Sequence, residues 1–77
     1  MTNRMIRDIA QDIIKDWKNP YYGARPYIQA MAQLYYVEDK YVYETAKDII
    51  IYFLANAQTW RGPIAKQIKA ELKELIK

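Results

Sequence analysis

The stretch Asp48-Ile49-Ile50-Ile51-Tyr52-Phe53 decides the fold class, because its composition and its spacing indicate different structures. β-Branched and aromatic residues favour strands. However, the sequence offers no second strand for it to pair with, and the flanking residues continue a helical period. The apolar positions on one helical face are Ala46, Ile49, Ile50, Phe53 and Ala57. We therefore predict a helix over about residues 43–58.

A first helix is predicted over about residues 3–18. Its apolar side chains occupy one half of the helical wheel, and Thr2 or Asn3 is suited to cap its beginning. Asn19-Pro20 ends it, because proline disfavours helical geometry in the residue before it. The apolar positions are Met5, Ile6, Ile9, Ala10, Ile13, Ile14 and Trp17.

A second helix is predicted over about residues 26–38. Pro26 suits its first turn, because the N–H that proline lacks has no partner there. Its inward face is predicted to consist of Tyr27, Met31, Leu34 and Tyr35. The charged run Glu38-Asp39-Lys40 marks the following turn.

A fourth helix is predicted over about residues 63–76, after a break at Gly62-Pro63. Trp60 continues the apolar face of the third helix and is predicted to close the core. Four amphipathic helices with short connections indicate an all-α fold, a compact bundle of four helices that forms one domain over residues 1–77. The apolar face of the fourth helix is Ile64, Ala65, Ile68, Leu72, Leu75 and Ile76.

Composition excludes several classes of function. The chain has no cysteine and no histidine, so disulfides, thiolate metal sites and catalysis by a histidine base are excluded. No apolar run approaches the roughly 20 residues that cross a bilayer. Arg4, Arg7 and Asp8 interrupt any start that resembles a signal peptide. We therefore expect a cytoplasmic protein that is not an enzyme, binds no cofactor or metal and does not enter a membrane.

Three carboxylates, Asp8, Asp12 and Asp16, form a row at four-residue spacing on the first helix. Such a row can hold a hard cation or imitate a phosphate backbone for a basic partner. The alternative is a solvated flank, partly neutralised by Arg4 and Lys15 at neighbouring positions on the helix. One helix cannot surround an ion, so the solvated flank is the favoured interpretation.

The fourth helix carries a row of lysines opposite its apolar face, and Arg61 immediately precedes that helix. Such a row can follow nucleic-acid phosphates, in which case binding weakens with salt. The alternative is a solvated face moderated by Glu71 and Glu74. The net charge of +3 permits nucleic acid without requiring it. The candidate phosphate contacts are Lys66, Lys69, Lys73 and Lys77.

Tyrosine is the outlier in composition, since all eight tyrosines lie between Tyr21 and Tyr52. Tyr27 and Tyr35 are predicted to lie in the core or at its edge. Six others are candidates for contact with a protein partner or a second copy of the chain, because tyrosine supplies contact area at low entropic cost. Stacking on nucleobases is the weaker alternative. These six are Tyr21, Tyr22, Tyr36, Tyr41, Tyr43 and Tyr52, with Arg25 and Arg61 as candidate charged anchors.

Five segments resemble a group of small helical proteins encoded by tailed bacteriophages and related mobile elements. They are Asp16-Trp17-Lys18-Asn19-Pro20, residues 27–31, Tyr52-Phe53-Leu54-Ala55-Asn56-Ala57, Trp60-Arg61-Gly62 and Ile68-Lys69-Ala70-Glu71-Leu72-Lys73. In that group a glycine commonly follows the tyrosine that corresponds to Tyr41. Val42 stands there in this chain, so a different turn is expected before the third helix.

The resemblance implies a setting, not a mechanism. Small early phage proteins often disable host machinery, including CRISPR–Cas immune systems, without catalysing a reaction. The first hypothesis is therefore a phage accessory protein that binds a host bacterial protein through its tyrosines. The second is a nucleic-acid or nucleotide binder that uses the lysine row and stacked tyrosines. The third is a structural module that forms a homo-oligomer, because helices two and three carry more apolar surface than a small bundle buries.

Overall fold

A computed structural model describes residues 4–77. It confirms a mainly helical chain with four helices and adds a two-stranded hairpin that the all-α prediction lacks. The elements in chain order are α1 Ile6–Asp16, α2 Arg25–Met31, β1 Lys40–Tyr41, β2 Glu44–Thr45, α3 Ala46–Ala55 and α4 Pro63–Leu75. Helix α1 packs on α2 and α4, and α3 also packs on α2 and α4.

The stretch that decided the fold class is helical in the structure, as predicted. Thr45 caps α3, because its Oγ1 accepts a hydrogen bond from the backbone N–H of Asp48 at 3.2 Å. The predicted start at residue 43 is wrong, because Glu44 and Thr45 pair with Tyr41 and Lys40 in the hairpin. The predicted end at residue 58 is also wrong, since α3 stops at Ala55.

Helix α2 ends at Met31 rather than near residue 38, and tertiary contacts explain the difference. The carbonyl oxygens of Leu34 and Tyr35 accept hydrogen bonds from the N–H groups of Arg7 and Ile6, at 2.8 and 2.9 Å. These bonds supply partners for the open amides at the start of α1. Residues 34 and 35 cap another helix in this way and do not extend their own.

Asp39 closes the segment after α2. Its Oδ2 accepts hydrogen bonds from the backbone N–H groups of Tyr35 and Tyr36, both at 3.0 Å. Leu34 is buried as predicted, but Tyr35 is 43% exposed, so its predicted place in the core or at the edge of the core is wrong. The helical pattern of this region therefore predicted the burial of Leu34 correctly, although Leu34 lies outside the helix.

The other helices lie close to their predicted positions. Helix α1 begins after an N-cap at Met5 and covers residues 6–16 instead of 3–18, and the predicted caps Thr2 and Asn3 lie outside the described residues. Helix α4 begins at Pro63 as predicted and ends at Leu75. Gly62, at φ +112°, adopts a backbone conformation that only glycine takes readily.

The hairpin turns through two residues, Val42 and Tyr43, with Tyr41 paired to Glu44. Val42 has φ +60°, in the left-handed region that β-branched residues avoid. The chain adopts at Val42 a conformation for which glycine is suited.

One hydrophobic core connects all four helices. The rings of Trp17, Phe53 and Trp60 meet at one end of it, and Trp60 is 2% exposed, which confirms its predicted role in closing the core. The aliphatic and alanine members of the core, described by their burial, are Ile6, Ile9, Ala10, Ile13, Ala24, Ile28, Ala30, Met31, Leu34, Ala46, Ile49, Ile50, Ala57, Ala65, Ile68 and Leu72.

Candidate interaction surfaces

The tyrosines do not form one continuous belt. Four of them surround the corner between α1 and α2 and the adjoining end of α3, and we call these the corner cluster: Tyr21, Tyr22, Tyr27 and Tyr52. The ring centroids of Tyr21 and Tyr22 are 4.8 Å apart, and those of Tyr27 and Tyr52 are 5.6 Å apart. Tyr22 is 76% exposed, and Tyr21 and Tyr52 are also exposed. The corner cluster thus unites three of the predicted contact residues.

Gly23 and Asn56 hold the corner cluster in place. A Cβ at Gly23 would lie 2.6 Å from Cε2 of Tyr21 and 2.8 Å from Oδ1 of Asn56, so the glycine allows ring and amide to approach the backbone closely. Asn56 Nδ2 donates a hydrogen bond to the carbonyl oxygen of Tyr52 at 2.9 Å. Asn56 therefore connects the last turn of α3 to the backbone beside the Tyr21 ring.

The two adjacent tyrosines of the corner also affect each other's chemistry. Hydrogen bonding with the Tyr22 hydroxyl, and secondarily electrostatic interaction with Tyr22, raises the pKa of Tyr21 above its ordinary value. The raised pKa keeps the Tyr21 hydroxyl protonated to a higher pH than that of an isolated tyrosine. Arg25 lies at the start of α2, where its Nε donates to the carbonyl oxygen of Pro20 at 3.3 Å, and its side chain is exposed beside the corner.

A second tyrosine cluster lies at the beginning of α1 and consists of Tyr35 and Tyr36 with Arg7. The ring centroids are 6.5 Å apart, and the guanidinium carbon of Arg7 lies 5.5 Å from the Tyr35 centroid. Arg7 Nη1 also donates to the Tyr35 hydroxyl at 3.4 Å. Tyr36, a predicted contact residue, therefore belongs to a separate exposed surface.

The last two predicted tyrosines lie in the hairpin and differ in exposure. Tyr43 is 94% exposed at the turn beside Val42, which is also exposed. Tyr41 packs partly buried against the core. Tyr43 is thus available for contact, whereas most of Tyr41 serves packing.

Arg61 lies at the corner between α3 and α4, and the lysine row extends from there along α4. Lys69 is partly buried there: its Nζ donates to the carbonyl oxygen of Trp60 at 2.6 Å and lies 5.9 Å from the Trp60 ring. Burial lowers the pKa of Lys69, with repulsion from Lys73 and Arg61 as further causes. Lys69 is therefore engaged within the fold, and the exposed members of the row are Lys66, Lys73 and Lys77.

Asp12 and Asp16, two of the three carboxylates in the row on α1, line a groove between α1 and α4. Arg4 crosses this groove, with ion pairs to Asp12 on one side and Glu71 on the other, and these bonds hold the pKa of Arg4 above its usual value. Asp16 Oδ2 accepts from the indole N–H of Trp60 at 2.9 Å. The groove encloses about 940 Å³. Among residues 4–77 no three carboxylates are grouped so that they could hold a metal ion.

Sequence reasoning missed three residues that organise these surfaces: Gly23, Asn56 and Arg7. The spacing of Tyr52 and Asn56, four residues apart on a predicted helix, was a signal that the amide could bond back to that carbonyl. The close approach at Gly23 and the pairing of Arg7 with Tyr35 depend on tertiary structure, so no local pattern indicated them.

No helix formed by residues 4–77 has both the length and the apolar character needed to span a membrane. Comparison with protein-family models, with curated proteins and with solved structures found no match.

Proposed function

We propose that the chain is a non-enzymatic accessory protein of a tailed bacteriophage or related element, and that it binds a host protein through the corner cluster. The observation that supports this proposal is the arrangement of Tyr21, Tyr22 and Tyr52 around Gly23 and Asn56. Ordered tyrosines that remain exposed lose little conformational entropy when a partner covers them. Arg25 adds a positive charge at the edge of this surface.

The phage setting supplies the class of partner. It rests on the resemblance of the five sequence segments, and it places the protein's action in the cytoplasm of a bacterial host. Binding without catalysis suits inhibition of a host defence nuclease, as in anti-CRISPR proteins. A partner held by aromatic rings loses affinity sharply when one central ring is removed.

Capture of a partner from bacterial lysate tests the proposal. The immobilised chain is compared with Tyr22→Ala and with Tyr36→Ala, because both change one exposed tyrosine and only Tyr22 belongs to the corner cluster. We expect Tyr22→Ala to lower the affinity for the captured protein about tenfold or more and Tyr36→Ala to leave it unchanged. Equal capture by all three proteins contradicts the proposal.

Binding to nucleic-acid phosphates is the second candidate function. Arg61, Lys69 and Lys73 lie close enough for Arg61 and Lys73 to lower the pKa of Lys69, so this corner is positively charged. Lys66 is exposed on the same helix. Stacking tyrosines of the corner cluster would supplement the phosphate contacts in this hypothesis.

Fluorescence anisotropy with short DNA and RNA distinguishes this second candidate. One variant carries Lys66→Glu together with Lys73→Glu. The control variant carries Lys40→Glu together with Lys47→Glu, so its net charge changes by the same amount at exposed positions outside α4. If the lysine row of α4 binds phosphates, only the variant with Lys66→Glu and Lys73→Glu should show a weaker salt dependence. Its slope of log affinity against log salt concentration should be smaller in magnitude by about 2. Absence of binding at low salt removes this candidate.

Self-association is the third candidate and involves α3. Ile51 and Tyr52 are neighbouring exposed side chains on this helix, which otherwise contributes to the core. A second copy that covers this face would bury both. Sedimentation equilibrium measures it directly: a homo-oligomer predicts a mass that rises with concentration, and a constant monomer mass removes the candidate.

A further inference from the structure

A small notch opens beside the corner cluster, at the C-terminal end of α3. Tyr21 forms one side of it, and the segment from Ala55 to Thr59 forms the other. Its volume is about 270 Å³, just below the range of roughly 300–1,000 Å³ that accommodates a small-molecule ligand. The notch is therefore of a size to take one long side chain.

Every polar side chain that lines the notch is uncharged. These are the hydroxyls of Tyr21 and Thr59 and the amides of Asn56 and Gln58. Lys18, Arg25 and Arg61, which are near in the chain, are not among the lining residues described by the structure. Nothing in the lining therefore repels a positive charge, and several oxygens can accept hydrogen bonds from one.

Asn56 turns an acceptor toward the corner. Its Nδ2 is used in the bond to the carbonyl oxygen of Tyr52, so Oδ1 is the amide atom that remains to accept a hydrogen bond, and Asn56 lines the notch beside Tyr21. Within residues 4–77 no donor reaches this oxygen. An amide oxygen close to an aromatic side chain is suited to a planar donor that can contact the ring face and donate a hydrogen bond at once.

The helix end adds negative potential to the same place. The last turn of a helix carries a partial negative charge, which basic side chains commonly neutralise. Helices α1 and α4 have Lys15 and Lys73 in their last turns, whereas α3 has no basic residue there. The negative end of α3 thus adjoins the acceptors of the notch without a positive charge of its own.

We propose that this notch binds the guanidinium of an arginine on the protein partner, between the Tyr21 ring and the oxygens of Asn56 and Gln58. The aromatic face attracts a cation, and the planar guanidinium can donate to both amides while it stacks. This inference rests on the proposed function, because the arginine belongs to the partner that the corner cluster contacts. It requires that the partner present a positively charged side chain to a surface that is otherwise defined by its tyrosines.

Titration of the ¹⁵N-labelled full chain with N-acetyl-arginine amide tests the notch without knowledge of the partner. We expect saturable shifts in the backbone amides of residues 55–59 and of Tyr21, with a dissociation constant on the order of 10 mM. N-acetyl-citrulline amide is the neutral control and should give no saturable shift. Equal binding of both compounds, or shifts centred on the groove at Asp12 and Glu71, overturns the inference.

Charge changes at the rim provide a second readout that does not depend on the ring. Thr59→Lys should weaken binding of N-acetyl-arginine amide about fivefold, and Gln58→Glu should strengthen it about fivefold. Gln29 is an exposed residue of α2, outside the notch. Gln29→Lys is therefore the matched control for Thr59→Lys and should leave the affinity for N-acetyl-arginine amide unaltered. Equal effects of Thr59→Lys and Gln29→Lys contradict a local site.

The two proposals fail in different experiments. Loss of lysate capture in Tyr22→Ala together with no saturable arginine shift overturns the notch and leaves the corner cluster as the partner surface. Saturable arginine binding at the notch together with undiminished capture by Tyr22→Ala overturns the partner surface. In the second case the arginine site stands as a property of the chain without that partner.

Discussion

The indole of Trp60 stacks on that of Trp17, with ring centroids 5.6 Å apart and an interplanar angle of 10°. Phe53 meets the edges of both rings at centroid distances of 6.3 Å. Trp60 Nε1 donates to Asp16, and its carbonyl oxygen accepts from Lys69. The end of α1 is thereby joined to the corner between α3 and α4.

Replacement of Trp60 should show how much its stacking on Trp17 and its hydrogen bond to Asp16 stabilise the fold. Trp60→Phe removes the indole hydrogen bond and much of the stacked area, so we expect the free energy of unfolding to fall by about 2 kcal/mol. Asp16→Ala removes only the acceptor of that bond and should cost about 1 kcal/mol. Urea unfolding followed by far-ultraviolet circular dichroism measures both. Equal midpoints in all three proteins would mean that these contacts are not stabilising.

The Arg4 bridge between α1 and α4 should contribute modestly and depend on salt. Arg4→Gln removes bonds to Asp12 and Glu71 that are partly exposed to solvent, so we expect a loss of about 1 kcal/mol in the free energy of unfolding at low salt. The loss should shrink as salt rises. Arg7→Gln is the comparison, because the contacts of Arg7 with Asp8 at 3.9 Å and with the Tyr35 hydroxyl at 3.4 Å are long and exposed to solvent. A larger loss for Arg7→Gln contradicts this ranking.

Val42→Gly should stabilise the hairpin. A left-handed conformation costs a non-glycine residue roughly 1–2 kcal/mol, and the greater flexibility of glycine in the unfolded chain offsets part of the gain. We expect a net gain of about 1 kcal/mol in the free energy of unfolding. Val42→Ala keeps the unfavourable φ and should gain less. A loss of stability in Val42→Gly would show that the exposed valine side chain makes a stabilising contact.

The sequence was sufficient for the parts of the fold that depend on helical period. The apolar faces of α1 and α4 are strongly periodic, and their central residues are buried as that period requires, although Ile14 and Ile64 on those faces are exposed. Helix α3 is apolar on several sides, and the residues that it buries are those of its predicted face. The β-branched run at Ile49–Ile51 favoured a strand, but it is helical in the structure, as the helical period of its flanking residues predicted. Trp60 was also placed correctly, because it continues the face of α3.

The region between Met31 and Thr45 could not be predicted in this way, because its structure depends on distant residues. Leu34 and Tyr35 bond to the start of α1, and Asp39 binds the backbone that precedes it. A turn at Val42 contradicts local preference, so no turn signal was visible there. The division of the tyrosines into separate clusters follows from this same region, which places Tyr35 and Tyr36 beside Arg7.

The Tyr21–Tyr22 pair should be visible in a pH titration. Tyr22→Phe removes the hydroxyl that raises the pKa of Tyr21, so the pKa of Tyr21 should fall toward its ordinary value of 10.0. Nuclear magnetic resonance of ring-labelled tyrosine follows the residue individually. Tyr27→Phe, a change within the same cluster, should leave the pKa of Tyr21 unaltered.

The sign of the effect on stability follows from the direction of that shift. Well below pH 10.0, the ordinary pKa of tyrosine, Tyr21 is neutral in both the folded and the unfolded state. As the pH rises further the unfolded chain ionises first, so the folded state loses the contribution of the raised pKa. Wild type should therefore lose more stability than Tyr22→Phe in this alkaline range, and the opposite order would contradict the interaction.

Substitutions at the two glycines should affect partner binding and fold stability separately. Gly23→Ala places a methyl group against the Tyr21 ring and the Asn56 amide, both of which are side chains that can shift, so unfolding should change by less than about 1 kcal/mol. The displaced ring should nevertheless lower capture of the partner as much as Tyr22→Ala does. Gly62→Ala has open space around it but an unfavourable φ of +112°, and it should cost about 2 kcal/mol while capture persists.

This reciprocal pattern tests whether the corner acts through its geometry. Calorimetric unfolding and lysate capture are measured on the same three proteins at a temperature where each is folded. A Gly23→Ala protein that captures the partner as well as wild type does would show that the partner tolerates a displaced Tyr21, and contact would then have to depend on Tyr22 and Tyr52. Loss of capture in Gly62→Ala at that temperature would extend the partner surface to the corner between α3 and α4, where Arg61 is exposed.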